Sequence, residues 1–585
     1  MKNNNPINQV KSQKLKVKIS YFSLLPFSIL LLQLPQIALA QEQPKPVQDF
    51  GYWAGLCSGQ NEAKNYEEAI KACQQAIALN PNEPKVWTDL SNAQFSLAKY
   101  VEAVGGYGQV IRIEPKIAEA WAKRCAGRIE LGTYEEAITD CETALKLPVD
   151  ESWGKVTPSF ALYHQGVAQW RLARRGEALF SFDLATQSSP NYSIAWADRC
   201  LLLSQMGQTY DALASCDRAL AVNGDWENRS PAFAWTNRGR VLAKLEQYDE
   251  ALISYDKALA TNPKDEVAWS EQGAVLERLG KLGEALASQG WAIKISPNYA
   301  LALANQCSTL NRLKKYDEAL AACEKAIQEG DGRWGEEGIA LAWNHRANAL
   351  TGAGRFEEAL ASANRAIAIA PNYADPWSNR GATLWYMGRF EEALGATAQA
   401  IALNPNSSQA WFNQGRILTT LGKFEDALSA YDRALLGDAN VGDRLTLAQI
   451  WVNKSALLWR LERNYEAVAS ADRAIGINPK SAEAWYNKAL ALMALNFYVD
   501  AVKAYDQATQ IVPTNADFWA GKGIALRFLE RYPEALVALQ IALKLNPTQP
   551  QALANQQFIM LKLQPPPGQL VPPPSGGNTQ NSGVR

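Results

Sequence analysis

The eight cysteines of this chain form four pairs, Cys57 with Cys73, Cys125 with Cys141, Cys200 with Cys216 and Cys307 with Cys323, each with its members sixteen positions apart. Paired thiols can join as disulfides, ligate a soft metal as thiolates, or serve as small buried apolar residues. A structural zinc site needs four ligands, and two thiols per pair, with no histidine at a matching spacing, do not supply them, so no metal site is expected. The only histidines, His164 and His345, lie far apart in the sequence. There is no nucleophile elbow, phosphate loop or zinc-helix motif. Acidic pairs such as Glu391-Glu392 recur with a helix-start pattern rather than as catalytic carboxylates. The reading is therefore of a chain that is not an enzyme and takes no cofactor.

The elements that position the cysteines follow from a 34-residue period, the feature to seek before any local reading. Trp53, Trp87 and Trp121 mark it, as do Trp235 and Trp269, then Trp343, Trp377 and Trp411, then Trp451, Trp485 and Trp519. With tryptophan at slot 4, a small residue stands at slot 8 (Gly239, Gly273, Gly381, Gly415, Gly523), an aromatic at slot 17 (Tyr66, Tyr134, Phe356), alanine at slots 20 and 27 (Ala69, Ala76) and proline at slot 32 (Pro81, Pro263, Pro405). Slots 4, 8 and 11 share one helical stripe. Acidic residues at slots 18 and 19 suit the amide end of a second helix, and proline closes it. Each unit thus reads as two antiparallel helices. Fourteen units begin near residues 50, 84, 118, 159, 193, 232, 266, 300, 340, 374, 408, 448, 482 and 516. All eight cysteines fall at slots 8 and 24, equidistant from the turn near slot 16.

In these slots the chain resembles the tetratricopeptide repeat (TPR) family over residues 50–549. Leu162 and Leu303 at slot 4 and Arg, Lys or Gln at slot 7 are the departures. The resemblance implies an all-α, right-handed α-solenoid of about fourteen hairpins, with the first helices lining a concave groove. Residues 550–563 read as a capping helix, because repeat arrays need covered ends, and 564–585, rich in Pro, Gly, Ser and Asn, as a disordered tail. On the groove side slot 6 is biased to asparagine: Asn237, Asn305, Asn379, Asn413, Asn453 and Asn487. The run from Asn379 to Asn487 is similar to the asparagine ladder with which superhelical TPR proteins hold an extended peptide. A carboxamide offers a donor and an acceptor to a backbone of any sequence; the other reading is solvated surface in copied repeats. Slot 2 is apolar through Phe160, Ile194, Phe233, Val267, Leu301 and Leu341, which either meets a partner or packs on the next repeat. Four longer connections, Val149–Pro158, Gly224–Pro231, Gly330–Gly338 and Gly437–Arg444, interrupt the register. Trp153, Trp226 and Trp334 on three of them are either tucked down or offered outward.

Compartment comes from the start of the chain. Residues 1–40 hold five lysines and no acidic residue, then an apolar run from Ile19 to Leu39 and an Ala38-Leu39-Ala40 site, the pattern of a secretory signal peptide. An uncleaved anchor is the competing reading; Pro26, Pro35 and the Ala-x-Ala site favour cleavage. Residues 41–49 are a linker. Without the leader the charge is 53 basic against 59 acidic residues, or −6, which does not make the basic surface that nucleic acid requires. An exported chain meets oxidising conditions, where disulfides persist, and that favours four intra-repeat bridges over buried free thiols. The expectation is a periplasmic or extracellular scaffold that binds a protein or extended peptide in its groove, in envelope assembly, secretion or surface organisation. It makes no membrane insertion after cleavage, and homo-oligomers are possible. The alternative is a self-associating structural surface protein. Four bridges make the unreduced protein about 8 Da lighter than its reduced form, two hydrogens being lost per bridge. Intact mass spectrometry checks this, and a mass unchanged by reduction rules the bridges out.

Overall fold

The structure, a computed structural model, describes residues 49–227, 229–335, 337–437 and 444–563, with backbone only at 444–446. The expected leader, the linker up to residue 48 and the expected tail lie outside the described residues, as does most of the last long connection. Among the described residues all regular structure is helical, with 29 α-helices and a 3-10 turn at Glu151–Trp153. Two compact units are distinguished. The first holds the helices Phe50–Glu62, Tyr66–Leu79 and Pro84–Ser96; the second holds the helices from Tyr100 onward, as hairpins stacked in chain order.

Each hairpin is made by local chemistry. Its first helix is 13 or 14 residues long in most units, as in Glu266–Arg278 and Pro231–Lys244. The tight turn that follows puts the slot-15 residue in the left-handed region, at φ 75° for Gly388 and 59° for Glu462. Glycine adopts that conformation freely, and other residues bear a cost of about 1 kcal/mol. The second helix opens on acidic residues, such as Glu357 and Glu358 in Phe356–Ile369. Between successive repeats, the slot-4 indole N–H donates to the carbonyl of the slot-32 proline six residues earlier. Trp87, Trp121, Trp196, Trp269, Trp377, Trp411, Trp485 and Trp519 all make this bond, at 2.8–3.1 Å. It clasps the four-residue connection, as at 80–83, and accounts for the Trp and Pro slots together.

The core of each hairpin is the meeting of slots 8 and 24. The four cysteine pairs are disulfides there, with the expected partners: Cys57 with Cys73, Cys125 with Cys141, Cys200 with Cys216, and Cys307 with Cys323. The Cα atoms of Cys57 and Cys73 are 4.8 Å apart, those of Cys125 and Cys141 5.5 Å, and those of the other two pairs 5.3 Å. All eight residues are fully buried. In several other repeats the same contact is small against large. A methyl group added at Gly166 would lie 2.7 Å from the Phe182 ring, and at Gly239 or Gly415 within 2.6 Å of Tyr255 or Tyr431. Tyr255 and Tyr431 are themselves among the most buried large side chains.

The bridges are not scattered. Repeats three, five and eight carry them, and each is followed by a long connection: twelve residues at 146–157, eight at 223–230 and ten at 330–339. None of the eight Trp–Pro clasps spans such a connection. Cys141, Cys216 and Cys323 each sit on the second helix, so the bridge pins that helix just where the clasp to the next repeat is lost. The fourth bridge, Cys57 with Cys73, holds the first hairpin.

A glycine at this contact and one away from it respond in opposite ways to alanine. Gly239→Ala forces Tyr255 to shift and is expected to cost about 1–3 kcal/mol. Gly395→Ala, within the helix Phe390–Leu403 and with nothing within 4 Å of the new methyl, is expected to gain about 0.5–1 kcal/mol. Hydrogen exchange of the two hairpins measures both, since local opening reports local stability.

Candidate functional site

The row of slot-6 side chains is the feature of the first helices on which a binding face was expected. Asn237, Asn413 and Asn487 are buried there, and Asn305, Asn379 and Asn453 half-buried. Three of the carboxamides donate to slot 5 of the preceding repeat, 35 residues back: Asn379 to Asn344 Oδ1 at 2.8 Å, Asn413 to Ser378 Oγ at 3.0 Å, and Asn487 to the Val452 carbonyl at 3.0 Å. Slot 2 completes the pattern, because Gln409 and Gln449 donate to the side-chain oxygens of Asn413 and Asn453. These three asparagines thus join neighbouring first helices. Slot 2 follows the same logic in the middle of the chain, where Ile194 is buried and Phe160, Phe233, Val267, Leu301 and Leu341 half-buried.

Nearer the start of the chain, the row is charged and the connection 223–230 reaches into it. Glu227, held in the left-handed conformation at φ 50°, accepts a hydrogen bond from Tyr192 and lies 3.6 Å from His164 Nε2. Burial pushes its carboxyl up, but His164, Tyr192 and Lys123 outweigh burial and hold it below the usual range. Lys123 is lowered by burial. Arg229, two residues on, donates to the buried Asp198 at 2.9 Å, and Tyr163 does so at 2.8 Å. Burial still leaves the Asp198 carboxyl raised. The tryptophans of the long connections turn inward: Trp153 donates to the Pro148 carbonyl and Trp226 to Asn223 Oδ1, both buried, and Trp334 is half-buried against Leu303 and Ala342.

In repeats ten to twelve the same face carries side chains that remain open to solvent. Trp385 donates to Thr420 Oγ1 at 2.9 Å, and the Arg416 guanidinium lies 4.0 Å from the Trp385 ring. Tyr386, stacked on Phe356 with ring centres 5.5 Å apart, is 49% exposed, and Trp459 is 36% exposed. Slot 12 carries aromatics at Trp385 and Trp459 on the flank of the first helix, and the sequence does not tie Arg416 and Tyr386 to them, since slots 9 and 13 vary.

Slot 7, a departure from the family pattern, acquires a role. Its cation lies over the slot-4 indole and pairs with the slot-25 acid of the preceding repeat. Examples are Arg238–Asp217 at 2.6 Å, Lys488–Asp472 at 2.7 Å and Lys522–Asp506 at 2.8 Å. Half-exposed pairs of this kind contribute about 0–1 kcal/mol each, so they set register more than stability. A recurrent cation could have been matched to slot 25 by its own 34-residue recurrence.

His345 also occupies slot 6, and burial lowers its pKa to about 4. The unfolded chain, with histidine near 6.5, binds that proton more readily. The contribution of neutral His345 is therefore present above about pH 6.5 and lost as pH falls toward 4, by on the order of 2 kcal/mol after discounting partial solvent access. His345→Gln is expected to flatten this part of the profile, read as hydrogen-exchange protection of the helix Ala340–Gly352 between pH 4 and 7.

Sequence profiles described as tetratricopeptide repeat match residues 61–124, 232–265, 340–373, 379–442 and 454–516. Among curated proteins nothing matches the sequence. Of solved structures, the Cut9–Hcn1 hetero-tetramer of the APC/C is similar at 13% identity and a TM-score of 0.52, covering 87% of this chain and 96% of that one. YrrB, a TPR protein with an unusual peptide-binding site, shares 20% identity over 33% of this chain and 97% of its own, with a TM-score of 0.30. A tetratricopeptide repeat protein from Parabacteroides merdae shares 18% over 43% and 94%, at 0.35. Only the first likeness is close enough to argue from, and at its identity it speaks to the fold alone. With the Trp–Pro clasps, the small residues at slot 8 and the stacked hairpins already in place, this chain is a tetratricopeptide repeat protein.

Proposed function

We propose that this protein is an exported, non-catalytic scaffold that holds a segment of a partner protein on the first-helix face of repeats ten to twelve, in envelope assembly, secretion or surface organisation. One observation carries the reading: on that face Tyr386 and Trp459 are exposed, with Trp385 and the Arg416 guanidinium half-buried beside them, so aromatic and cationic surface reaches solvent. Aromatic and arginine side chains are the residue types that dominate protein interfaces. Asn379 and Asn453, half-buried beside them, are the carboxamides placed to meet a partner backbone. Asn413 and Asn487 hold the helices behind, while Asn237 and Asn305 belong to earlier repeats. Export accords with the four buried bridges, and no described helix is long and apolar enough to cross a membrane.

The reading is tested with two double variants against a partner first captured by the intact protein. Trp385→Ala with Trp459→Ala is expected to weaken capture roughly 10- to 100-fold, and Asn379→Ala with Asn453→Ala roughly tenfold. Undiminished capture by both would defeat it. For export, N-terminal sequencing of the periplasmic protein should begin at Gln41.

A further inference from the structure

The last helix, Pro550–Leu563, stands in the place of the first helix of a fifteenth repeat. Its slots 3 and 10, Ala552 and Ile559, are fully buried, and both join the core of the preceding repeats. Its slots 4, 8 and 11 are Leu553, Gln557 and Met560, and all three are exposed. In repeats six to fourteen slot 11 is a leucine that is no more than 8% exposed, as in Leu350, Leu384 and Leu458 at 0%, whereas Met560 is 47% exposed. The open stripe is therefore the one a second helix covers elsewhere in this chain. Residues 565–574 are poorly suited to form that helix. Six of the ten residues 565–574 are proline, which lacks the amide hydrogen of a helical ladder.

The stripe is nearly symmetric about its centre. Counting from Gln557, leucine stands four residues away on both sides, as Leu553 and Leu561, and Ala554 and Met560 stand three residues away; all five are exposed. An antiparallel copy of the helix crossing at Gln557 would set Leu553 against Leu561 and small Ala554 against large Met560, and would let the two Gln557 carboxamides exchange hydrogen bonds on the axis. That is the self-complementarity a two-fold interface requires. Lys562 is the helix's one charged residue and lies outside the stripe, so nothing on the stripe repels a copy or selects an oppositely charged partner.

From this geometry we infer that the chain forms an end-to-end, two-fold homodimer through the helix Pro550–Leu563, independently of any ligand on the first-helix face. Sedimentation velocity of the purified chain should show its mass rising from one chain to two across the micromolar range. Met560→Glu with Leu561→Glu, both at exposed positions, should remain monomeric with unchanged helical content. Gln557→Cys adds one thiol to a chain whose eight cysteines are paired, and should give a covalent dimer on mild oxidation that dithiothreitol releases. A monomer at every concentration, a dimer that survives the double glutamate variant, or no cross-link from Gln557→Cys would overturn the inference. So would a chain that dimerises only after residues 564–585 are removed, which would assign the stripe to the tail.

Discussion

The contact between slots 8 and 24 is the constraint on which the rest of the molecule depends. It is the point where the two helices of a hairpin approach most closely, so the combined volume of its two residues is limited. The chain meets that limit in different ways: cysteine with cysteine at Cys200 and Cys216, glycine with an aromatic at Gly239 and Tyr255, glycine with leucine at Gly523 and Leu539. A bridged pair and a glycine–tyrosine pair are thus alternative fillings of one space, because close-packed interiors tolerate a swap that conserves volume and resist one that does not. From that spacing follow the position of the second helix, the proline that ends it, and the indole that clasps the proline.

Where the clasp is interrupted, the chain changes how it is held. The long connections after repeats three, five and eight replace the four-residue link that the Trp–Pro clasp spans elsewhere, and these three repeats are bridged. A bridge closing a loop of about fifteen residues contributes up to roughly 3 kcal/mol in the chain-entropy view. That is enough to offset several hydrogen bonds of about 1 kcal/mol each. The connections are more than spacers. The segment 223–230 puts Glu227 between His164 and Tyr192 and Arg229 against Asp198, so this part of the first-helix face is occupied by the chain's own charges.

The polar chemistry of the first helices is directed mainly at neighbouring repeats. A buried carboxamide without partners costs more than its hydrogen bonds return, and Asn413 meets this by donating to Ser378 while accepting from Gln409. Bridges hold the two helices of one repeat together, and Asn379, Asn413 and Asn487 hold first helices of successive repeats together. The chemistry not consumed in this way is chiefly that of the aromatic and arginine side chains around Trp385.

Much of the fold was legible in the sequence, because it is local and repeated. The Trp, Pro, Ala and small-residue slots each state a short-range requirement, and fourteen copies make the period unmistakable. Slots 8 and 24 flank one tight turn, so the pairing of Cys125 with Cys141 or of Cys307 with Cys323 could be read as a matter of register. The candidate site was less legible. Slot 6 reads as a solvent row when one helix is considered alone, and only the stacking of the next helix decides that Asn413 and Asn487 are interior while Asn379 and Asn453 keep an open edge. The partnership of Arg416 with Trp385, and of slot 7 with slot 25 of the repeat before, likewise joins residues about 16 to 31 positions apart on different repeats. The sequence by itself determined the hairpin, since its contacts lie within one period. Which polar side chains face a neighbour and which face solvent was decided by tertiary structure, because burial belongs to the packed surfaces and to no single helix.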